Sequence, residues 1–174
     1  HRAKLELEWI DAELLEKQDT EEWRRLRSCD GIVVPGGFGR RGSEGKILAA
    51  RYARLEQVPF FGLCLGMQVA TVEFARSVLK LKNASSTEFD AKTKHPVIHI
   101  MPEQEKKLLR HEYGATMRLG SWPCKLVRRS VSYAAYRSER IEERHRHRYE
   151  LNNVYRKRLE QAGPVHDLHD GSAQ

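Results

Sequence analysis

Apolar positions along this chain fall into short runs separated by glycine-rich or charged stretches. Leu5 to Leu7 has the pattern of a short strand. Asp19-Thr20-Glu21-Glu22 sets an N-cap with a Glu three residues later, as a capping box does, and predicts a helix through Trp23 and Leu26. Gly31-Ile32-Val33-Val34-Pro35 is a continuous apolar run ending in glycines, which predicts a buried parallel strand rather than a two-faced one. Gly45 to Leu55 follows as a helix, with Ile47, Leu48 and Ala50 to Tyr52 on its inner face. Val58 to Leu63 is a second buried strand. From Leu65 onward Met67, Ala70, Phe74, Val78 and Leu81 recur at helical spacing, an amphipathic helix directly after that strand. Strands alternating with helices across tight glycine turns imply an α/β protein with a parallel sheet.

The stretch from Lys82 to Arg118 is polar, with one strand at Val97 to Met101 and a charged run from Glu103 to Glu112 that reads as a mobile loop. Cys124 to Val127 predicts a strand. Asn153 to Ala162 predicts a helix capped by Asn152 or Asn153 and ended by Gly163-Pro164. At 174 residues the chain has the length of one domain.

Composition narrows the chemistry. The longest apolar runs fall far short of the roughly 20 residues of a membrane span. The first residues lack an initiating Met and an apolar leader, which suggests an internal cut. Three cysteines, Cys29, Cys64 and Cys124, form no C-x-x-C, so neither a disulfide framework nor a zinc ribbon is expected, and a reducing cytoplasm is the natural compartment. The net charge of +7 is uneven: eight Lys/Arg stand against four Glu between Arg137 and Arg158. Such a local cluster points to an anionic ligand or an interface rather than to nucleic acid.

Gly62-Leu63-Cys64-Leu65-Gly66 is G-x-C-x-G between a strand and a helix, a nucleophile elbow with Cys in place of Ser. The glycines are expected because flanking Cβ atoms would collide in so sharp a turn. The helix beginning at Leu65 aims its positive end at the sulfur and favours the thiolate, and the Leu65 N–H is placed to help stabilise an oxyanion. The alternative is a small buried cysteine with no chemistry. Gly37-Phe38-Gly39-Arg40-Arg41-Gly42 matches the dinucleotide pattern G-x-G-x-x-G, yet no acidic ribose ligand ends the next strand. The competing reading is that Gly36 and Gly37 keep the backbone bare beside Cys64.

Val34-Pro35-Gly36-Gly37-Phe38-Gly39 followed by Gly62-Leu63-Cys64-Leu65-Gly66-Met67-Gln68 resembles the class I glutamine amidotransferases. Ser86-Thr87-Glu88-Phe89, Thr116-Met117-Arg118-Leu119-Gly120 and Glu143-Arg144-His145-Arg146-His147-Arg148-Tyr149-Glu150 narrow the resemblance to the glutaminase domains of the CTP synthase family, from about residue 5 to residue 163. It implies a flavodoxin-like fold, an open parallel-type sheet with helices on both faces, here incomplete, over 1–174. It also implies that Cys64 attacks the side-chain amide of L-glutamine while the N–H groups of Gly37 and Leu65 hold the oxyanion. Gly66, Met67 and Gln68 then belong to the glutamine site, with Glu88 for its ammonium and Arg148 for its carboxylate. Ammonia would pass to a synthetase domain that uses ATP and Mg2+ to amidate UTP, in a homo-oligomer activated by GTP. His166 and His169 form an H-x-x-H with no third ligand in sight, so no metal is expected.

The chain departs from the family in three places. Ala115 stands where the family's Gly-Gly-Thr-Met-Arg-Leu-Gly stretch has glycine. No His-Pro-Glu supplies the base and its orienting carboxylate; the one His-Pro, His95-Pro96, continues into Val97. No G-x-x-x-x-G-K-[ST] marks a synthetase half. Two other readings therefore stand beside the enzyme: a binding or structural piece that associates with full-length subunits, and a cysteine hydrolase acting on another substrate, against which the Glu88 and Arg148 pair argues. A thioester without a base hydrolyses poorly. Glutamine turnover by this chain alone is expected far below the usual enzyme range of about 1–10³ s⁻¹; an ammonia-release assay giving a rate within that range would refute this.

Overall fold

The computed structural model describes residues 4–100, 118–128 and 130–163. They belong to two compact units, His1–Glu73 and Phe74–Gln174.

In the first unit residues 4–11 have no regular structure, so the expected strand at Leu5 to Leu7 does not form, and both leucines are exposed. With a charged residue on either side of each, the segment gives no continuous apolar face to bury. Helix α1, Ala12–Glu16, is capped by Asp11, whose carboxylate accepts from the Glu13 N–H at 2.8 Å. Helix α2, Thr20–Arg27, starts at Asp19, which accepts from Glu22 N–H at 2.8 Å, and its acidic first turn and basic last turn both suit the helix dipole. Only half of the predicted capping box closes, because the Glu22 carboxylate accepts from the Asp11 N–H instead and so joins α2 to the start of α1.

Strands β1, Ile32–Val34, and β2, Phe60–Gly62, pair in parallel with Ile32 opposite Phe60 and Val34 opposite Gly62. Between them runs α3, Ser43–Glu56, with Ile47, Ala49, Ala50 and Ala53 buried; Arg51, inside the predicted inner face, is exposed. The expectation of strands buried on both faces is corrected. Val33 is 62% and Phe61 60% exposed, opposite one another in the register. Side chains alternate along a strand, and only the face carrying Ile32 and Val34 is covered.

Helix α4, Leu65–Ser77, follows β2, with the boundary between the units inside it. Its buried apolar positions are Leu65, Val69, Val72 and Ala75, while the predicted Met67, Ala70, Phe74 and Val78 are only half-buried. The error is one of phase: apolar residues occur on nearly every side of this helix, so spacing alone does not choose its inner face. Glu73, 3% exposed, is held by a two-pronged contact from Arg54 of α3 at 2.8 Å for each hydrogen bond.

The second unit holds two small sheets. Strands β3 (Ser85–Ser86), β4 (Pro96–Ile100) and β7 (Tyr149–Leu151) lie in the order β3-β4-β7, parallel then antiparallel. Strands β5 (Arg118–Lys125) and β6 (Arg140–His147) form an antiparallel ribbon, with the short helix α5, Val131–Tyr136, between them. The predicted strand at Cys124 thus begins much earlier, at Arg118. Helix α6, Asn153–Ala162, has its predicted limits: Asn152 caps it and Gly163 ends it. Asn152 also donates from its side chain to Pro96 O at 2.9 Å, which anchors α6 to β4. The run from Glu103 to Glu112, Ala115, His166 and His169 lie outside the described residues. No helix among those described is long and apolar enough to cross a membrane.

The architecture is α/β with parallel pairing, as the alternation predicted, but the described strands are divided among three sheets. Gly45 sets a close contact between α3 and α1, since a Cβ there would stand 1.7 Å from the Ala12 carbonyl oxygen. Gly45→Ala is expected to cost about 2–4 kcal/mol, because backbone must move. Gly39→Ala, at φ +78° with open space around it, is expected to cost only about 1 kcal/mol. Urea unfolding of the two variants checks the contrast; equal losses would count against it.

Candidate active site

The parallel register of β1 and β2 brings their carboxyl ends out side by side, and two loops leave from there. One is Pro35-Gly36-Gly37; the other is the turn at Cys64. Beyond the last paired residues, Leu63 N–H still donates to Val34 O at 2.9 Å, so β2 is held to β1 up to the residue before the cysteine. A Cβ on Gly36 would lie 3.6 Å from Cys64 Cβ, and one on Gly37 would lie 3.1 Å from a methyl of Leu65. The structure therefore places the two glycines predicted to lie beside the cysteine directly against it and its neighbour.

Cys64 is exposed and has φ +52°. An L-residue in this left-handed region carries a cost of about 1–2 kcal/mol. Other non-glycine residues with positive φ, such as Gln57 and Arg137, close the ends of helices. Cys64 instead stands immediately before one. Its carbonyl accepts from Gln68 N–H at 3.1 Å, so it begins α4 while its side chain stands clear of the helix. The flanking glycines have a stricter reason than the bend itself. A Cβ on Gly62 would fall 2.5 Å from the Gly66 carbonyl carbon, and one on Gly66 would fall 2.1 Å from Val34 O. Gly66 is thus the point where the first turn of α4 rests on the β1 backbone. Leu65 and Gln68 are buried, at 2% and 4% exposure, and Met67 is half-buried.

The second cluster lies in the second unit. Glu88 follows β3 in a turn where its N–H donates to Ser86 Oγ at 3.1 Å and Thr87 N–H donates to Ile98 O at 3.0 Å. Arg148 is the single residue between β6 and β7. Both act electrostatically on the phenol of Tyr149. Burial pushes that phenol above the ordinary tyrosine range, the Glu88 carboxylate pushes it further, and the Arg148 guanidinium opposes the rise. The predicted carboxylate and guanidinium thus act in opposite senses on one phenol. Arg148 Nε and Thr87 Oγ1 are buried without a hydrogen-bond partner among the described residues, a costly condition that a polar ligand relieves.

Tyr149 is the member that sequence reasoning passed over. Its position next to Arg148 in the motif was visible, but a strand residue beside a basic run gives no sign of burial. Arg118, also quoted in a motif, lies over the Trp122 ring at 4.8 Å and pairs with Glu150 at 3.6 Å, joining the ribbon to the three-stranded sheet. No group of three or more His, Cys, Asp or Glu side chains suited to a metal ion occurs among the described residues.

The glutamine amidotransferase class-I family matches residues 1–167 of the chain. The CTP synthase of Clostridium kluyveri is 53% identical over 163 residues, which are 94% of this chain and 29% of that protein. That of Pelotomaculum thermopropionicum is 54% identical over 165 residues, 95% of this chain and 30% of the relative. The chain therefore spans about 30% of the length of the curated relatives it matches. Among solved structures, the glutaminase domain of the Trypanosoma brucei enzyme with bound acivicin superposes with a TM-score of 0.83 at 41% identity, covering 93% of this chain and 61% of that one.

The backbone at Cys64 makes a prediction independent of catalysis. Cys64→Gly is expected to be more stable than Cys64→Ala by about 1 kcal/mol, because only glycine takes positive φ without cost. Urea denaturation of the pair decides it, and an alanine variant at least as stable would show that the turn relaxes to negative φ.

Proposed function

The chain belongs to the class I glutamine amidotransferase family, and on that premise we propose that it is the glutamine-hydrolysing part of a CTP synthase, with Cys64 as nucleophile. The observation that carries this reading is the exposed cysteine at φ +52°, wedged between two glycines that no other residue can replace without backbone collision. Strain of this kind persists where the surrounding structure over-determines it, and it concentrates at reacting groups.

In the proposed reaction the Cys64 sulfur attacks the side-chain amide carbon of L-glutamine. The carbonyl π-bond opens to an oxyanion, which the N–H groups of Gly37 and Leu65 receive; losing one such donor typically costs about 10²- to 10³-fold in rate. When the oxyanion collapses, the C–N bond breaks, the nitrogen takes up the proton that the Cys64 thiol gave up and leaves as ammonia, and a glutamyl thioester remains on Cys64. Water then cleaves the thioester to glutamate. Gln68 and the backbone at Gly66 and Met67 line the side-chain end of the substrate. Glu88 takes the α-ammonium and Arg148 the α-carboxylate, which supplies Thr87 and Arg148 with the polar contact they lack. Ammonia then serves a synthetase part that uses ATP with Mg2+ to convert UTP into CTP, under activation by GTP, in an oligomer of the whole protein in the cytoplasm.

The test is intact mass after treatment with a glutamine-shaped chloroketone, with and without excess glutamine, beside Cys64→Ser. The expected result is a single adduct that glutamine prevents and the serine variant never forms. Absent or unprotected labelling in a chain shown by circular dichroism to be folded would overturn the proposal.

A further inference from the structure

Arg148 is the only residue between the end of β6 at His147 and the start of β7 at Tyr149. Across that one residue the chain leaves the β5–β6 ribbon and enters the β3-β4-β7 sheet. Arg148 Nε has no hydrogen-bond partner among the described residues, and Arg148 itself forms the bend between the two strands. The bend is bridged by a side chain: His147 Nδ1 lies 3.0 Å from Tyr149 O. His147 Nε2 lies 2.8 Å from His145 Nδ1, with ring centroids 5.0 Å apart.

These contacts dictate tautomers. A carbonyl oxygen only accepts, so His147 Nδ1 carries a proton and donates to Tyr149 O. In neutral His147 the Nε2 atom is then an acceptor, and His145 Nδ1 must be the protonated nitrogen that faces it. A shared metal ion fits poorly: two nitrogens each about 2.0–2.1 Å from a tetrahedral metal stand about 3.3 Å apart, wider than the separation here. We infer that His147 is a positioning residue for the glutamine site: oriented by His145, its Nδ1–H pins the Tyr149 carbonyl and holds the one-residue bend that aims Arg148. The inference rests on Arg148 being the carboxylate ligand.

Two polar variants isolate the bond. Asparagine places an amide N–H where His147 has Nδ1, whereas glutamine places it where His147 has Nε2. On the whole chain, the glutamine concentration that half-protects Cys64 from the chloroketone is measured together with the maximal labelling rate. His147→Gln is expected to raise the half-protecting concentration about tenfold, the equivalent of one hydrogen bond, with the labelling rate unchanged. His147→Asn is expected to restore it to within about threefold of the parent. A purely structural histidine would make both variants alike, so equal shifts, or none in either, overturn the inference. A second readout needs no glutamine: the rate at which phenylglyoxal modifies Arg148, followed by peptide mass, is expected to change in His147→Gln and not in His147→Asn. If glutamine fails to protect even the parent chain, the glutamine-site reading falls and the Arg148 rates alone decide; equal rates in the two variants then overturn the positioning role.

Discussion

The contact on which the rest of the first unit depends is the approach of Gly66 to the Val34 carbonyl. Val34 O already accepts from Leu63 N–H at 2.9 Å, and a methyl group on Gly66 would stand 2.1 Å from the same oxygen. One strand end therefore carries both the last rung of the parallel pairing and the first turn of α4. Any side chain at Gly66 would lift the helix away and let the intervening residue relax. With glycine there, Cys64 is fixed at both ends, by Leu63 on β1 and by its own carbonyl on Gln68 N–H. The cost of positive φ, about 1–2 kcal/mol, is matched by a few backbone hydrogen bonds at a net of about 0.5–1.5 kcal/mol each. The same register sets Gly36 and Gly37 beside the cysteine, because parallel strands deliver their carboxyl ends to one edge.

The second unit positions its charged groups by another device. The chain passes from the β5–β6 ribbon into the β3-β4-β7 sheet across the one residue Arg148, and the two sheets are tied again by the Arg118–Glu150 ion pair. A residue at such a crossing has neither sheet's full ladder to hold it, so a local side-chain hydrogen bond has unusual leverage over its direction. The Glu88 carboxylate and the Arg148 guanidinium act in opposite senses on the half-buried Tyr149 phenol. This arrangement suits a zwitterion, which brings a charge of each sign.

Much of this was legible in the chain itself. Glycines around Cys64 announced the turn, Asp19 and Asn152 announced their helix starts, and the alternation of apolar runs announced an α/β protein. Each of these rests on contacts within a few residues. What spacing misjudged depended on distant partners. The buried side of α4 was chosen wrongly because its sequence is apolar nearly all round. Val33 and Phe61 lie in continuous apolar runs, yet they share an uncovered face because strand pairing puts them opposite one another. Glu22 looked like the second half of a capping box and went instead to Asp11, eleven residues away.

The sequence by itself thus determined the family, the cysteine and the need for bare backbone around it, since a motif and a tight turn are local. Only the tertiary structure decided why Gly66 cannot be anything else, that Glu88 and Arg148 both act on the Tyr149 phenol, and that His147 closes the bend beside it. Those facts require residues far apart in the chain, or on strands of different sheets, to be brought near one another. Distances of that kind follow from packing and register, which no periodicity in the sequence encodes.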